Sequence, residues 1–166
     1  YRLSADQRDG YGPVCLGVCY EHGKCGLERD PQEALRLYHL SADQGDGYGQ
    51  AKLGECYEHG NCGLERDPQE ALRLYRLSAG QDNRSGQARL GRCYEHGKCG
   101  QKRDPQEALR LYHLSADQGD GYGQARLGRC YEHGTCGLRR NGEEALRLYR
   151  LSAGQDNRSG QARLGR

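Results

Sequence analysis

The feature that most constrains this chain is a heptapeptide, Cys-Tyr-Glu-His-Gly-x-Cys, that begins at Cys19, Cys56, Cys93 and Cys130, a strict step of 37 residues. Leu-Gly pairs (Leu16-Gly17, Leu53-Gly54, Leu90-Gly91, Leu127-Gly128, Leu164-Gly165) and Leu-Ser-Ala triplets starting at Leu3, Leu40, Leu77, Leu114 and Leu151 keep the same step. A fixed period between about 20 and 50 residues marks a stacked-repeat protein, in which one unit cannot cover its apolar face until its neighbours do. The expected division is the end of a repeat at 1–8, full repeats at 9–45, 46–82, 83–119 and 120–156, and the start of another at 157–166. Both ends fall inside a repeat, so the chain reads as a window on a longer array.

With 34% hydrophobic and 29% charged residues, an aperiodic chain of 166 residues would have little with which to build a core. Here the apolar residues return at fixed places, so a thin core can run from repeat to repeat. The net charge of +2 does not supply the clustered cations that nucleic-acid binding needs. Arg89, Arg92, Arg126 and Arg129 occupy slots where an earlier repeat has Lys52 and Glu55, and read as a solvated helix face. No apolar run approaches the ~18 residues of a membrane span.

Residues 46–82 show how one repeat is built. A first helix should start near Asp46 to Gly49, present Ala51, Leu53, Cys56 and Tyr57 on one face, and end at Gly60, where glycine permits a left-handed cap. A second helix is announced by Asp67 as N-cap, Pro68 at the first helical position and Glu70 as the acidic partner of a capping box. Along it Ala71, Leu74, Tyr75 and Ser78 form one stripe, widened by Leu72, with the small residues allowing close helix approach. Helices joined by a short loop pack antiparallel at about 8–10 Å. The expected fold is all-α: an α-solenoid of helix-turn-helix repeats with a concave and a convex wall.

The spacing Leu53-Gly54-x-x-Tyr57-x-x-Gly60, followed by Gly63-Leu64-x-x-Asp67-x-x-x-Ala71-x-x-Leu74-Tyr75-x-x-Ser78-Ala79, resembles the Sel-one-like repeat, a branch of the tetratricopeptide-like helical repeats. The resemblance runs through the whole chain. It implies a scaffold or adaptor that binds other proteins along its curved walls, often in a secreted or periplasmic setting; the residues themselves offer no unique polar constellation for catalysis, so no catalytic residue and no cofactor is assigned. The sequence departs from the family's Gly-x-Gly loop, having Gly60-Asn61-Cys62-Gly63, and Cys56 stands where the family carries an inward apolar residue. Cysteine-rich relatives bridge their helices from other positions, so their pairing does not transfer.

Eight of the nine cysteines form regularly spaced pairs outside any redox Cys-x-x-Cys motif, which points to an oxidising, extracellular compartment. In an unbroken helix, residues six apart are separated by about 9 Å along the axis, so Cys56 meets Cys62 only if Gly60 folds the chain back. On that reading Cys19–Cys25, Cys56–Cys62, Cys93–Cys99 and Cys130–Cys136 are disulfides, each contributing roughly 2 kcal/mol. Free thiols are one alternative. A metal held by Cys56, His59 and Cys62 is the other, and it lacks a fourth ligand within the loop, so no metal is assigned. His59 reads as a surface residue at a helix end, and four near-identical copies argue against a single Cys-His catalytic pair. Cys15 is left over, on the outer side of the first helix.

The linkers alternate, giving a superperiod of 74 residues, and every second one carries the sequon Asn-Arg-Ser, at Asn83 and Asn157. An N-linked glycan there competes with the reading that Asn simply caps the next helix. Leu77, Leu114 and their equivalents form a row on the outer edge of the second helices, either covering neighbours or offering a lateral contact. Tyr57 and Tyr75 are the aromatic candidates for binding a partner. Near-identical repeats multiply one surface feature along a line. The functional expectation is therefore a secreted, disulfide-stapled structural protein that self-associates or continues into a filament, with a peptide- or protein-binding adaptor as the alternative.

Overall fold

The computed structural model describes residues 10–154. Among them are eight helices and no strand: α1 (Tyr11–His22), α2 (Pro31–Asp43), α3 (Gly47–His59), α4 (Pro68–Gly80), α5 (Arg84–His96), α6 (Pro105–Asp117), α7 (Gly121–His133) and α8 (Gly142–Ala153). This is the expected all-α helical-repeat architecture. The proposed partial repeats at 1–8 and 157–166, and with them Asn157, lie outside the described residues. The chain divides into two compact units, Tyr1–Asp82 and Asn83–Arg166.

In the first unit α1 packs on α2 and α3 on α4, α2 packs on α3, and the first helices α1 and α3 also touch. The second unit repeats this with α5 to α8. The core of the first unit gathers Val14, Ala34, Tyr38, Leu53, Cys56 and Leu74; that of the second gathers Ala108, Tyr112, Ala116, Leu127, Cys130, Cys136 and Leu148. Each helix pair therefore buries few apolar residues of its own, and the core becomes continuous only where pairs stack.

The helix ends follow local chemistry. The Asp67 carboxylate accepts from the Gln69 and Glu70 amides, both at 3.0 Å, and Pro68 takes the position where no amide hydrogen is needed. The capping-box half of the expectation is corrected: the Glu70 carboxylate turns outward to the Arg73 guanidinium, at 2.6 and 2.8 Å. A bidentate ion pair one turn on outcompetes the reach back to the Asp67 amide, which donates instead to the Tyr57 carbonyl at 2.9 Å. At the other end of the hairpin α3 closes on Gly60 at φ 67°.

Between paired helices the close approach has a specific cause. The Gly54 face of α3 lies flat against the Tyr75 ring of α4, so near that a Cβ on Gly54 would stand 2.7 Å from ring carbon Cε1. Ser78, read from sequence only as a small residue, also donates from Oγ to the Gly47 carbonyl at 2.5 Å and ties the end of α4 to the start of α3.

Candidate functional site

The recurring cysteine loop is the chemically distinctive part of each repeat. After the left-handed glycine that ends the first helix, Cys25, Cys62, Cys99 and Cys136 are themselves left-handed, with φ between 56° and 58°. Side chains other than Gly, Asn and Asp seldom occupy that region, at a cost of about 1–2 kcal/mol. An arginine fixes the loop from below: Arg29, Arg66, Arg103 and Arg140 donate from Nε to the carbonyls of Glu21, Glu58, Glu95 and Glu132 at 3.1–3.2 Å. This cap for the exposed helix carbonyls was not read from the sequence, although its eight-residue offset recurs in every copy.

The fold-back brings together the sulfurs that the sequence paired. Sγ–Sγ separations are 3.3 Å for Cys19 and Cys25, 3.9 Å for Cys56 and Cys62, 3.5 Å for Cys93 and Cys99, and 3.6 Å for Cys130 and Cys136. These are contact distances between thiols, longer than the ~2.05 Å of a disulfide bond. Burial, then the neighbouring Cys62, push the Cys56 thiol up. A catalytic nucleophile needs the opposite shift. At the last pair the Cys130 thiol donates to Cys136, which raises the donor and lowers the acceptor.

A second recurring element escaped the sequence reading. The glutamate of each heptapeptide turns inward and accepts from a tyrosine hydroxyl on the next helix: Tyr38 to Glu21 at 2.7 Å, Tyr75 to Glu58 at 2.8 Å, Tyr112 to Glu95 at 2.5 Å and Tyr149 to Glu132 at 2.7 Å. The constant separation of 17 residues was the available signal. Tyr75 is therefore a core residue with no exposed surface, which removes it from the candidate partner contacts, whereas Tyr57 is half-buried.

The arginine face is corrected as well. Arg126 is largely buried and bonds to the Glu95 carboxylate, with its guanidinium also 3.1 Å from His96 Nε2. Arg89 stacks over the Tyr122 ring, 4.5 Å from its centre. The Arg89 and Arg126 guanidiniums face a ring and a carboxylate on neighbouring helices, so they pack rather than dissolve; of the four arginines, Arg89, Arg92 and Arg126 are half-buried and Arg129 is exposed. Burial works against ionisation of Glu95, yet the Tyr112 hydroxyl and the Arg126 charge outweigh it and hold the carboxyl below its usual range.

The metal alternative drawn from one loop is not what the fold assembles. His59 is exposed at its helix end, as expected. The ligand atoms that do converge are those of Glu95, Cys130 and Cys136, all within 4.8 Å of one another. Sequence reasoning missed this group because its carboxylate comes from the preceding heptapeptide. Beside it lies a pocket of about 430 Å³ lined by Glu95, His96, Arg103, Arg129, His133, Thr135 and Cys136.

Asn83 caps α5, its Oδ1 accepting from the Ser85 and Gly86 amides at 3.1 Å. Glycan attachment uses Nδ2, the atom the cap leaves aside. Leu77 and Leu114 keep 43% and 37% of their surface exposed. Cys15 is half-buried on α1.

The Sel1 repeat profile matches residues 16–46, 47–83, 84–120 and 121–157. A solved Sel1 repeat protein from Oxalobacter formigenes is 30% identical, with a TM-score of 0.75 over 95% of this chain and 61% of its own. A protective antigen present in uropathogenic Escherichia coli strains, displaying an SLR fold, is 34% identical, with a TM-score of 0.72 over 98% of this chain and 34% of its own. The chain thus spans less than two thirds of either relative. A Pseudomonas aeruginosa protein at 23% identity and a TM-score of 0.68 shares the fold. No curated protein matches. Four consecutive repeat matches, carried by the hairpin geometry described above, make this chain a member of the Sel1 repeat family.

Proposed function

We propose that the chain is an extracellular assembly scaffold, in which cysteine pairs close as disulfides and repeated surface features hold one array against another or extend it into a filament. The observation that carries this reading is the leucine left exposed near the end of three of the second helices. Leu77 in the first unit and Leu114 and Leu151 in the second are 43%, 37% and 45% exposed, and Leu146 on the helix of Leu151 is 40% exposed, whereas Leu40 is half-buried. An exposed apolar side chain at the same position of these repeats is a contact that an array multiplies. The adjacency of the four thiol pairs supports bridging in an oxidising compartment. That a similar chain is a protective antigen supports a location outside the cell. A glycan on Asn83 belongs to the same reading, if the host is one that modifies sequons.

The second reading, an adaptor for a protein or peptide, is favoured by Tyr57, whose ring is half-buried at the end of α3 and can still cover an incoming chain. Electron microscopy and sedimentation of Leu77→Lys/Leu114→Lys against the parent separate the two. A filament scaffold loses its assembly in the variant. Short monodisperse particles from both proteins, together with one stoichiometric partner lost in Tyr57→Ala, would establish the adaptor instead. Intact mass without reduction tests the bridges, each of which removes a pair of hydrogens.

A further inference from the structure

We propose that Glu95, Cys130 and Cys136 form, when the pair is in its dithiol state, a binding site for a thiophilic divalent cation of zinc type. This goes beyond the scaffold reading. Where the compartment oxidises the pair, a bridge takes the same sulfurs; where it does not, the ion does.

Three features carry the assignment. The first is distance. With Zn–S bonds of about 2.3 Å, a tetrahedral site has a sulfur-to-sulfur edge of about 3.8 Å, and Cys130 and Cys136 stand 3.6 Å apart. The carboxylate oxygen lies within 4.8 Å of both sulfurs, so Glu95 needs a shift on the order of 1 Å to reach bonding range. The second is the way Glu95 is held. Tyr112 and Arg126 both bond to Oε2 and so fix the carboxylate in place. The third is charge. Two thiolates and a carboxylate around a divalent ion leave one negative charge, and the Arg126 guanidinium, already against Glu95, neutralises it.

Both sulfurs are buried, while the adjoining pocket with His133 at its rim leaves room for a fourth ligand or a water. Loading releases the two thiol protons to solvent. Among the described residues no other three His, Cys, Asp or Glu ligand atoms come so close.

The test is titration of the reduced full chain with Co²⁺ under nitrogen, followed by displacement with Zn²⁺. A tetrahedral cobalt spectrum with a thiolate charge-transfer band is expected. Cys130→Ser/Cys136→Ser should lose one equivalent of it, and Glu95→Gln should weaken that equivalent by at least about tenfold. Because the double variant removes core sulfurs and can fail to fold, ¹¹³Cd NMR of the parent supplies a second readout, with a shift expected for two thiolates and oxygen. Equal titrations for the parent and a folded double variant, an unchanged affinity in Glu95→Gln, or a cadmium signal with no sulfur ligation would each overturn the proposal. The bridge is judged separately from the unreduced mass, so either idea can fail alone.

Discussion

Gly54 and Gly80 are both helical glycines, yet replacing each by alanine should move stability in opposite directions. At Gly54 the new Cβ would meet the Tyr75 ring at 2.7 Å from Cε1 and 2.9 Å from Cδ1, where carbon atoms prefer about 3.5–4.0 Å. The ring has no exposed surface, and its hydroxyl is bonded to Glu58, so it cannot swing away. Overpacking of this kind costs about 1–3 kcal/mol, against a helix-propensity gain of about 1 kcal/mol. The expected net loss is up to about 2 kcal/mol. At Gly80 nothing lies within 4 Å, so only the gain remains, reduced to a few tenths of a kcal/mol by its place at the helix end. Urea unfolding followed by circular dichroism reads the difference. Hydrogen exchange of the α3 and α4 amides localises it, since stacked repeats need not unfold in one step. In a Tyr75→Leu background, which removes the ring, the Gly54→Ala penalty should largely disappear. A Gly54→Ala chain as stable as Gly80→Ala, or a penalty indifferent to the ring, would refute the close-approach argument.

Four further outcomes follow from the same geometry. Cys62→Gly should change sign with redox state: a loss of roughly 2 kcal/mol under oxidising conditions if the bridge forms, and a gain of up to about 1 kcal/mol in the reduced protein, where the left-handed strain at φ 57° is relieved; paired urea melts with and without reductant decide. Asp67→Ala should cost about 1 kcal/mol and fray the first turn of α4 in hydrogen exchange, because two amides lose their acceptor. Tyr38→Phe should cost about 1–2 kcal/mol, the hydroxyl being buried and 2.7 Å from Glu21, with Tyr20→Phe on the same helix hairpin as a comparison expected to be milder. The bond from Arg36 holds the Glu33 carboxyl below its ordinary value of 4.5. Its small contribution, a few tenths of a kcal/mol for so exposed a pair, is present above that value and lost as pH falls through the lower folded value. Glu33→Gln should therefore weaken the protein at neutral pH, have no effect in strong acid, and matter less in high salt.

The helices were legible in the sequence because their determinants are local. Asp67-Pro68 starts α4 and Gly60 ends α3 by backbone chemistry that needs no tertiary partner. The stripe Ala71, Leu74, Tyr75 and Ser78 was legible for the same reason, since its periodicity decides what faces inward. What escaped was the destination of long polar side chains. Glu58 sits two residues after a buried cysteine, and any solubility argument puts it in water, but the Tyr75 hydroxyl makes its burial tolerable. Arg126 was read as solvated because its identity says nothing about the carboxylate on the preceding helix pair. Such contacts join residues 14 to 35 positions apart, and in a repeat protein they can be found by asking which polar types recur at a constant offset.

That consideration bears on where singular chemistry can arise in an array of near-identical copies. Whatever every repeat contains is multiplied, and supports extended surfaces rather than a unique site. A unique site needs a position at which the copies differ. The slot held by Cys15, Lys52, Arg89 and Arg126 is such a position: Lys52 reaches the Glu55 carboxylate on its own helix, Arg89 lies over the face of Tyr122, and Arg126 bonds to the half-buried Glu95. Between Lys52 and Arg126 the side chains differ in length and donor geometry. A guanidinium presents a planar fork that suits both an aromatic face and a carboxylate, which an ammonium does not match. Exchanging Arg126 for lysine should therefore release Glu95 from its place beside Cys130 and Cys136 while leaving the helices intact. The reciprocal change, Lys52→Arg, tests whether this one slot is sufficient to draw Glu21 toward Cys56 and Cys62; a cobalt titration of the reduced variant that gains no equivalent would show that it is not.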